Sequence, residues 1–525
     1  MNRFCRTGCL TLAAVMAFGL ASCGGGGNSS SGTQSVVSMA QTEEAKEEVD
    51  FTNDEEITIS FLTQDYVSAP MTTDQLVLAE LAKRTKTNIE IQIVPSADYI
   101  SKLNLLVGSN RLPDLVNVVT PDTVTKYLAD GAFAPLNDAV NTYGKSMLKE
   151  LDAIPGSIKN LRDDAGNLYF IPRIDTSALN TQYIINNKFL KQLNLPVPRT
   201  IDEFYNTLKA FKTLGNDVIP LGKGYATVLE VPVFNAYGTS YSLRWWYNGE
   251  EYHYAPYTQQ EQVKAALQFL AKLYKEGLVD PEYYTLTEDD AVAKLNTGRV
   301  GVFNCWQDEI YGWTEGNELH PDCDYVPLYP LSSSYGQGIM GKREPLNWYF
   351  AVSAKSKYVD RIVKWFNYMC TDEGKTLMNW GIEGETYTVG TDGKKSFTDL
   401  IMKHEKGPID GRRYYGMDHL FMPNVMDIES WEATVDPALP GIMKECEQYY
   451  YVTQPILVPT SEESNKLANI MTDIDKLVTT SYQQFICNQL NFNEDWDNFI
   501  KQMEKMGIEE AIKIKKAAFE RWKAR

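Results

Sequence analysis

The sequence predicts an α/β protein whose doubly wound sheets are built from strands and helices that alternate along the chain. The first observation is this alternation: after residue 56, apolar patterns with a period of 2 and patterns with a period of 3.6 succeed one another. The second is length. About 470 of the 525 residues follow that point, more than one hydrophobic core usually serves, so two lobes are expected.

The body opens with three predicted strands separated by helices. This β-α-β-α-β order predicts a parallel sheet, and ligands on such sheets bind beyond the carboxyl ends of the strands. The first such end is Thr63-Gln64-Asp65-Tyr66. The predicted elements are strand Ile57–Thr63, helix Thr73–Thr85, strand Asn88–Val94, helix Tyr99–Val107, strand Leu115–Val119 and helix Pro121–Ala129.

Helix signals continue through the rest of the chain. Thr72 with Gln75, and Thr200 with Glu203, have the spacing of capping boxes. From Thr460 onward, the pattern predicts helices only.

Residues 1–22 are typical of a secretory signal. Two arginines precede an apolar stretch from Leu10 to Leu20, and the small residues Ala21 and Ser22 follow it. The stretch is too short for a membrane-spanning helix, which needs about 20 apolar residues. We therefore expect this segment to direct export and to be removed.

The border Leu20-Ala21-Ser22-Cys23 resembles the bacterial lipobox. That resemblance implies cleavage before Cys23, acylation of its thiol and anchoring to the extracellular face of the cell membrane. The alternative is an ordinary cleaved signal followed by an incidental cysteine. Residues 23–56 contain GGGGNSSSG and an acidic run, so we expect a flexible tether there.

Composition argues against several classes of function. The net charge is −19 and there is no long basic run, which makes nucleic-acid binding a poor hypothesis. No stretch after the signal approaches 18 uncharged apolar residues, so the body is expected to be soluble. The cysteines beyond Cys23 are widely spaced and suggest neither a disulfide framework nor a zinc site. We expect buried free thiols, with a Cys305–Cys323 bridge as the alternative.

Catalytic motifs are absent from the sequence. It contains no HExxH, GxSxG or P-loop pattern, and its four histidines have no partners close in sequence. Abundant carboxylates alone are weak support for a glycosidase. We therefore expect no enzyme activity.

Eight segments carry a family resemblance through their shared order along the chain. They are LPDLVNV (112–118), LADGAFAPLND (128–138), GNLYFIPR (166–173), YIINNKFLKQLNLPVPRTIDEF (183–204), LAKLYKEGLVDPE (270–282), LNTGRVGVFNCW (295–306), KWFNYMCTDEG (364–374) and NWGIEGETY (379–387). Together they resemble the extracellular solute-binding proteins of ABC importers. Within that group they are most similar to the large Gram-positive lipoproteins related to maltose- and alginate-oligosaccharide-binding proteins.

The resemblance implies a two-lobed, type II periplasmic-binding-protein-like fold with a hinge between the lobes. It places lobe 1 at residues 57–177 and 345–435. Lobe 2 would comprise residues 178–344 and 436–525, including the C-terminal helices. The ligand would lie in the cleft and close the lobes over itself.

The same resemblance implies the substrate-binding component of an ABC importer. Its expected partners are permease subunits and a small-molecule ligand, with an oligosaccharide favoured because the chain is rich in aromatic residues. It is expected to be a monomer that meets the membrane only through its lipid anchor. The alternatives are a peptide or other small metabolite bound by the same fold, a surface glycan adhesin and a secreted glycosidase.

Eleven residues are the candidate ligand contacts, because they lie at strand ends, lobe crossings and aromatic motifs near the expected cleft. The aromatic side chains would stack on sugar rings, and the polar ones would exchange hydrogen bonds with hydroxyl groups. Each has core packing or helix capping as its alternative. The candidates are Gln64, Asp65, Tyr66, Asp175, Tyr237, Trp245, Trp306, Asn347, Trp348, Trp380 and Glu383.

The sequence departs from the family pattern at two places. Asn186-Asn187 stands where the family often has charged residues, so ligand specificity cannot be transferred. Alginate-type members carry a calcium loop of the D-x-N-x-D-G kind, and neither 163–167 nor 391–393 supplies that spacing. We therefore expect no metal and no cofactor.

Overall fold

The computed structural model describes residues 49–524 except 67–68, 119–126, 129–130, 164, 225–228, 242–243, 318–319, 452–456 and 458; the side chains of residues 288, 289 and 461 are likewise outside the description. The predicted signal, Cys23, most of the tether and most of the predicted helix Pro121–Ala129 lie outside the described residues.

Two sheets carry the described part of the fold. From edge to edge, the first contains Thr87–Val94, Ile57–Gln64, Leu115–Asn117, Leu346–Val352 and Phe170–Ile174. The second contains Tyr325–Leu328, Thr181–Asn186, Val300–Trp306 and Ile219–Leu221. Smaller two-stranded pairings join Met340–Gly341 to Tyr450–Tyr451, Tyr387–Val389 to Lys395–Phe397, and Trp245–Tyr247 to Tyr252–Tyr254.

Helices surround both sheets. The described α-helices are Leu76–Thr85, Ser96–Gly108, Asn137–Tyr143, Lys145–Asp152, Ser157–Leu161, Asn187–Leu193, Ile201–Lys212, Val231–Ala236, Ala255–Thr258, Gln260–Lys275, Glu288–Leu295, Val359–Met369, Asp372–Asn379, Asp399–Met402, Gly407–Tyr414, Ile428–Glu432, Leu439–Cys446, Ser461–Ile486, Trp496–Met506 and Ile508–Ala524. Short 3₁₀ helices cover Gln307–Trp313 and Glu447–Tyr449. Among these described helices, none combines the length and the apolar character needed to cross a membrane.

The first sheet is parallel at the three strands for which the sequence predicts it, and its remaining two strands add antiparallel pairings. Ile57–Gln64 pairs in parallel with Thr87–Val94 and with Leu115–Asn117. The parallel pairing predicted for the first three strands is confirmed, and Leu346–Val352, which lies outside that prediction, is antiparallel to Leu115–Asn117 and to Phe170–Ile174. The reason is topological: the chain leaves this sheet after Ile174 for the second sheet. A strand that re-enters the sheet at the end from which the chain left must run antiparallel to the strand before the exit.

Each sheet has its own apolar core, which confirms the predicted α/β class. The first core includes Phe61 and Phe350 and packs on the first sheet. Two further clusters pack on opposite faces of the second sheet, one around Val302 and the other around Phe303. The C-terminal helices join the Val302 cluster. The strands of the two sheets fall within the residue ranges predicted for the two lobes, and the lobe boundaries themselves stay a prediction.

The two predicted capping boxes have different outcomes. Thr200 accepts from the Glu203 backbone N–H and Glu203 accepts from the Thr200 backbone N–H, as predicted. The box at Thr72 is wrong because the helix begins only at Leu76. Gln75 accepts from the Thr72 N–H, but its amide also donates to the Tyr414 carbonyl at 2.9 Å, which fixes it as a tertiary contact in an extended conformation.

The five cysteines of the described chain are free thiols. Four of them are buried, and Cys487 is partly exposed. The alternative of a Cys305–Cys323 bridge is therefore wrong.

Candidate functional site

A cavity of about 390 Å³ lies beside the second sheet, where the chain crosses between the two sheets. Its walls are mostly apolar and aromatic, with a few polar groups, as is typical of small-molecule sites. The lining residues are Leu179, Asn180, Thr181, Gln182, Tyr183, Val231, Pro232, Asn235, Ser240, Asn304, Trp306, Leu328, Tyr329, Pro330, Leu331, Ile339, Met340, Gly341, Lys342, Arg343, Glu344 and Tyr451.

The strand Val300–Trp306 brings two neighbouring side chains to this cavity. Asn304 and Trp306 are two residues apart and so lie on the same face of the strand. Across the sheet, Asn304 pairs with Tyr183 and Trp306 pairs with Thr181, and all four line the cavity. The carboxyl end of this strand therefore provides one wall of the site.

Trp306 is the predicted contact that the structure places in the cavity wall. Its side chain is partly exposed, and the Arg343 guanidinium lies over the indole ring, 5.6 Å from its centroid. An indole ring held in this way presents a flat apolar surface suited to a sugar ring. Ligand contact by Trp306 stays a prediction.

Asn304 lies deeper in the same wall. It is 1% exposed, and neither its Nδ2 nor its Oδ1 has a hydrogen-bond partner within the described residues. A Cβ at Gly224 would clash with the carbonyl oxygen of Asn304, so the neighbouring chain packs directly on the Asn304 backbone. The backbone at Asn304 is thus closely packed, while its amide lacks a hydrogen-bond partner among the described residues.

Buried charges form a network next to this cavity. Arg173 donates to Asp175 at 2.8 Å and to Asp418 at 2.6 Å. Arg412 also donates to Asp418 at 2.6 Å, and Arg343 lies 3.7 Å from Asp175. Burial raises the pKa of both carboxyl groups, but the arginines outweigh this effect and hold the pKa of each below its ordinary value. The predicted contact Asp175 is therefore an ionised group already engaged by arginine.

The predicted contacts at the end of the first strand form a polar edge. The Tyr66 hydroxyl accepts from Arg413 at 2.7 Å and donates to Asp410 at 3.1 Å. Gln64 is buried, and its Nε2 has no hydrogen-bond partner in the part of the chain that is described. Asp65 is partly exposed. These residues lie on the first sheet and do not line the cavity described above.

The predicted contact Trp348 lies at a bulge in the strand that returns to the first sheet. The pairing register shifts between Asn347 and Tyr349, and Trp348 has φ of 48°. A left-handed conformation is rare for a bulky residue, and bulges redirect side chains beside functional sites. The Trp348 ring meets Phe421 edge-on with ring centroids 4.8 Å apart. Ligand contact by Asn347 and Trp348 stays a prediction.

Four other predicted contacts lie elsewhere. Tyr237 and Trp245 pack with aromatic neighbours on lobe-2 segments. Trp380 is buried and its indole N–H donates to Asp427 at 3.1 Å, while Glu383 is exposed. None of the four is among the described residues that line the cavity. Packing explains the three aromatic residues, and ligand contact by all four stays a prediction.

Of the residues that line the cavity, the sequence predicted only Trp306; Asn304 and Arg343 are two polar residues that it missed. Asn304 had a signal, because VGVFNCW places an amide in an otherwise apolar strand. Arg343 had none, since an arginine in a loop gives no indication that it will meet Asp175 and Trp306.

Asp163 forms hydrogen bonds with residues 165 and 167, which follow it in the sequence. Asp163 accepts from the backbone N–H groups of Ala165 and Asn167 and from the Asn167 side chain. These bonds engage both oxygens of the Asp163 carboxylate within the loop itself.

Comparison with known proteins identifies the family. The model of the bacterial extracellular solute-binding protein family matches residues 67–376. The fructooligosaccharide ABC transporter substrate-binding protein FusA of Streptococcus pneumoniae is 23% identical over 535 residues, covering 91% of this chain and 93% of FusA. Lipoprotein LipO of Bacillus subtilis is 26% identical over 354 residues, covering 62% of this chain and 68% of LipO.

Solved structures show the same fold. The alginate-binding protein AlgQ2 without calcium ion has a TM-score of 0.76 and 21% identity, covering 90% of this chain and 100% of AlgQ2. FusA of S. pneumoniae in complex with kestose has a TM-score of 0.73 and 20% identity, covering 89% of this chain and 100% of FusA. With more than half of its length matched by the family model, the chain belongs to the bacterial extracellular solute-binding proteins.

Proposed function

We propose that this protein is the substrate-binding component of an ABC importer and that its ligand is an oligosaccharide. The observation that carries the proposal is the cavity at the crossing between the sheets, with the Trp306 ring in its wall. Family membership supports a binding role. The ligands named for FusA and AlgQ2, a fructooligosaccharide and alginate, are carbohydrates.

Binding would act through closure of the lobes. The crossing segments on either side of Asp175 and Arg343 join the two sheets, so a rotation there would change the width of the cleft. A ligand favours the closed form only through contacts that the open form lacks. The closed form is then the species that a permease would recognise.

The two carboxylates of the buried network, Asp175 and Asp418, are not suited to act as a catalytic acid. A glycosidase needs one carboxyl group that stays protonated near neutral pH to act as the acid. Asp175 and Asp418 have the opposite property, since arginines hold the pKa of each below its ordinary value.

We also propose a lipid anchor at Cys23. The lipobox-like border supports it, as does similarity to lipoprotein LipO. In cells fed a radiolabelled fatty acid, the wild-type protein should carry the label and Cys23→Ser should not. Label retained by the variant would contradict the anchor.

A glycan panel tests the proposed function directly. The purified body is titrated with kestose, nystose, maltotriose and alginate tetrasaccharide, with a tripeptide mixture as the comparison, and its melting temperature is followed. A ligand at 100 times its Kd stabilises the folded state by about 2.7 kcal/mol. We expect an upshift with at least one glycan and no change with the peptides.

A shift in melting temperature with peptides alone would contradict an oligosaccharide ligand but not a binding role. Release of shorter sugars during the incubation would contradict the assignment as a binding protein.

A further inference from the structure

Asn304 is a buried polar residue in an otherwise apolar strand. It is 1% exposed. Val302, its neighbour on the same face of the strand, belongs to one of the two apolar clusters that pack on the second sheet. The Asn304 Nδ2 and Oδ1 have no hydrogen-bond partner within the described chain. Burying an amide in this way removes its bonds to water and returns none, so the arrangement is destabilising for the unliganded protein.

Other amides in the same wall are already engaged. The Gln182 Oε1 accepts from the Gln307 Nε2 at 3.0 Å, and the Gln182 Nε2 donates to the Leu328 carbonyl. The Asn180 Nδ2 donates to the Gly341 carbonyl. Asn304 differs from these two because neither of its polar side-chain atoms has a hydrogen-bond partner within the described chain, although the residue lines the same cavity.

The backbone of Asn304 is held in place. It is held by the sheet pairing with Tyr183 and by close packing of Gly224 against its carbonyl oxygen. Trp306, two residues along the same strand face, lines the same cavity. A ring lying against the indole would therefore lie beside the Asn304 position on the same face of the strand.

We propose that Asn304 determines ligand specificity by pairing with hydroxyl groups of the sugar ring that contacts Trp306. This inference rests on the proposed function and deepens it. The amide Nδ2 donates to one hydroxyl oxygen, and Oδ1 accepts from the same or an adjacent hydroxyl. A deoxy position supplies neither bond, and a carboxylate cannot donate to Oδ1. Sites that hydrogen-bond a substrate hydroxyl reject such analogues strongly, because the buried protein groups stay unpaired.

The test compares Asn304→Leu with Asn186→Leu. Leucine has the branching and the number of side-chain heavy atoms of asparagine. Asn186 is a matched control, because it lies on a neighbouring strand, is also 1% exposed, and has both amide atoms hydrogen-bonded. The melting temperature of each purified variant is measured alone and with the glycan of the panel that shifts the wild-type protein most.

We expect Asn304→Leu to melt about 1–3 °C higher than the wild type without ligand, since an unpaired amide has been removed. Its ligand-induced shift should be lost and its affinity should fall about tenfold or more. Asn186→Leu should melt lower than the wild type and keep the ligand-induced shift. Opposite changes in melting temperature for the two variants would distinguish an amide that binds a ligand from an amide that stabilises the fold.

Two outcomes would overturn the inference. A lower melting temperature for unliganded Asn304→Leu would show that the amide stabilises the fold. An unchanged ligand-induced shift in that variant would show that the amide does not contact the ligand. If no glycan shifts the melting temperature of the wild-type protein, the proposed function fails and the inference fails with it; a higher melting temperature of unliganded Asn304→Leu would then show only that the amide is unpaired.

Discussion

The buried polar residues on the two sheets differ in chemistry near the segments where the chain crosses from one sheet to the other. On the side of the first sheet, the buried polar groups are largely charged, and ion pairs link Arg173 and Arg412 to Asp418. On the side of the second sheet, the cavity wall is mostly apolar and aromatic, and Asn304, one of its buried polar residues, is neutral and unpaired within the described chain.

The difference follows from what burial costs. An isolated buried charge is so unfavourable that it needs its partner within the protein, whatever the ligand does. A neutral amide costs far less to leave unpaired, so it can be held for a ligand. We therefore expect changes in the charged network to affect folding, and changes in the cavity wall to affect binding.

The largest expected effect is that of Asp418→Asn on stability. Asparagine keeps the shape and tolerates the left-handed backbone of this position, where φ is 42°. It removes the charge that Arg173 and Arg412 share, which should lower the free energy of unfolding by about 3–5 kcal/mol. Urea denaturation followed by tryptophan fluorescence measures this loss.

The matched control is Asp399→Asn, which breaks an exposed pair with Lys403 at 2.7 Å. That variant should unfold like the wild type, because exposed ion pairs contribute little. Equal effects for the two variants would mean that the buried network is no more important than a surface pair.

The second effect is a pH dependence due to His419. Its Nε2 lies 3.0 Å from the Ala69 carbonyl, and burial lowers its pKa to about 4. In the unfolded chain the pKa is near 6.5, so the neutral form gives full stability above that pH. As the pH falls from about 6.5 to 4 the unfolded chain gains the proton first, and stability is lost, on the order of 3 kcal/mol.

Comparison with His419→Gln isolates this contribution. Burial raises the pKa of Glu230 and Asp308, which opposes the effect of His419 over part of the same range. The difference between wild type and variant removes these terms from the measurement. We expect a shallower loss of stability in the variant between pH 6.5 and 4, measured by urea denaturation. Parallel curves would exclude His419 as the cause.

The smallest expected effect is that of Trp306→Ala, and it concerns binding. Loss of the ring should weaken ligand affinity by more than about 1 kcal/mol, roughly fivefold, while the lobe stays folded. Isothermal titration with the glycan that shifts the wild type measures the change. Tyr311→Ala is the control, because this aromatic residue is 55% exposed and does not line the cavity. Unchanged affinity in Trp306→Ala would remove the ring from the site.

The sequence was most informative where a local pattern decides a local structure. The alternation of Ile89, Ile91 and Ile93 predicted a strand at Asn88–Val94, where the structure has Thr87–Val94, and Thr200 with Glu203 predicted a helix start. Both features depend on residues within a few positions of one another. The ordered motifs were informative in another way, since they indicated the family that the comparisons confirm.

The sequence by itself determined the α/β class and the family, whereas it placed Trp306 in a loop and the structure makes it the last residue of a strand. Tertiary structure alone decided that Arg173, Asp418 and Arg412 share buried ion pairs, since these residues are as much as 245 positions apart. It also decided that the helix at Thr72 begins late, because Gln75 binds carbonyl groups more than 330 residues away. Hydrophobic periodicity indicates which face of a helix or strand is buried. It does not indicate which distant polar groups will contact one another there.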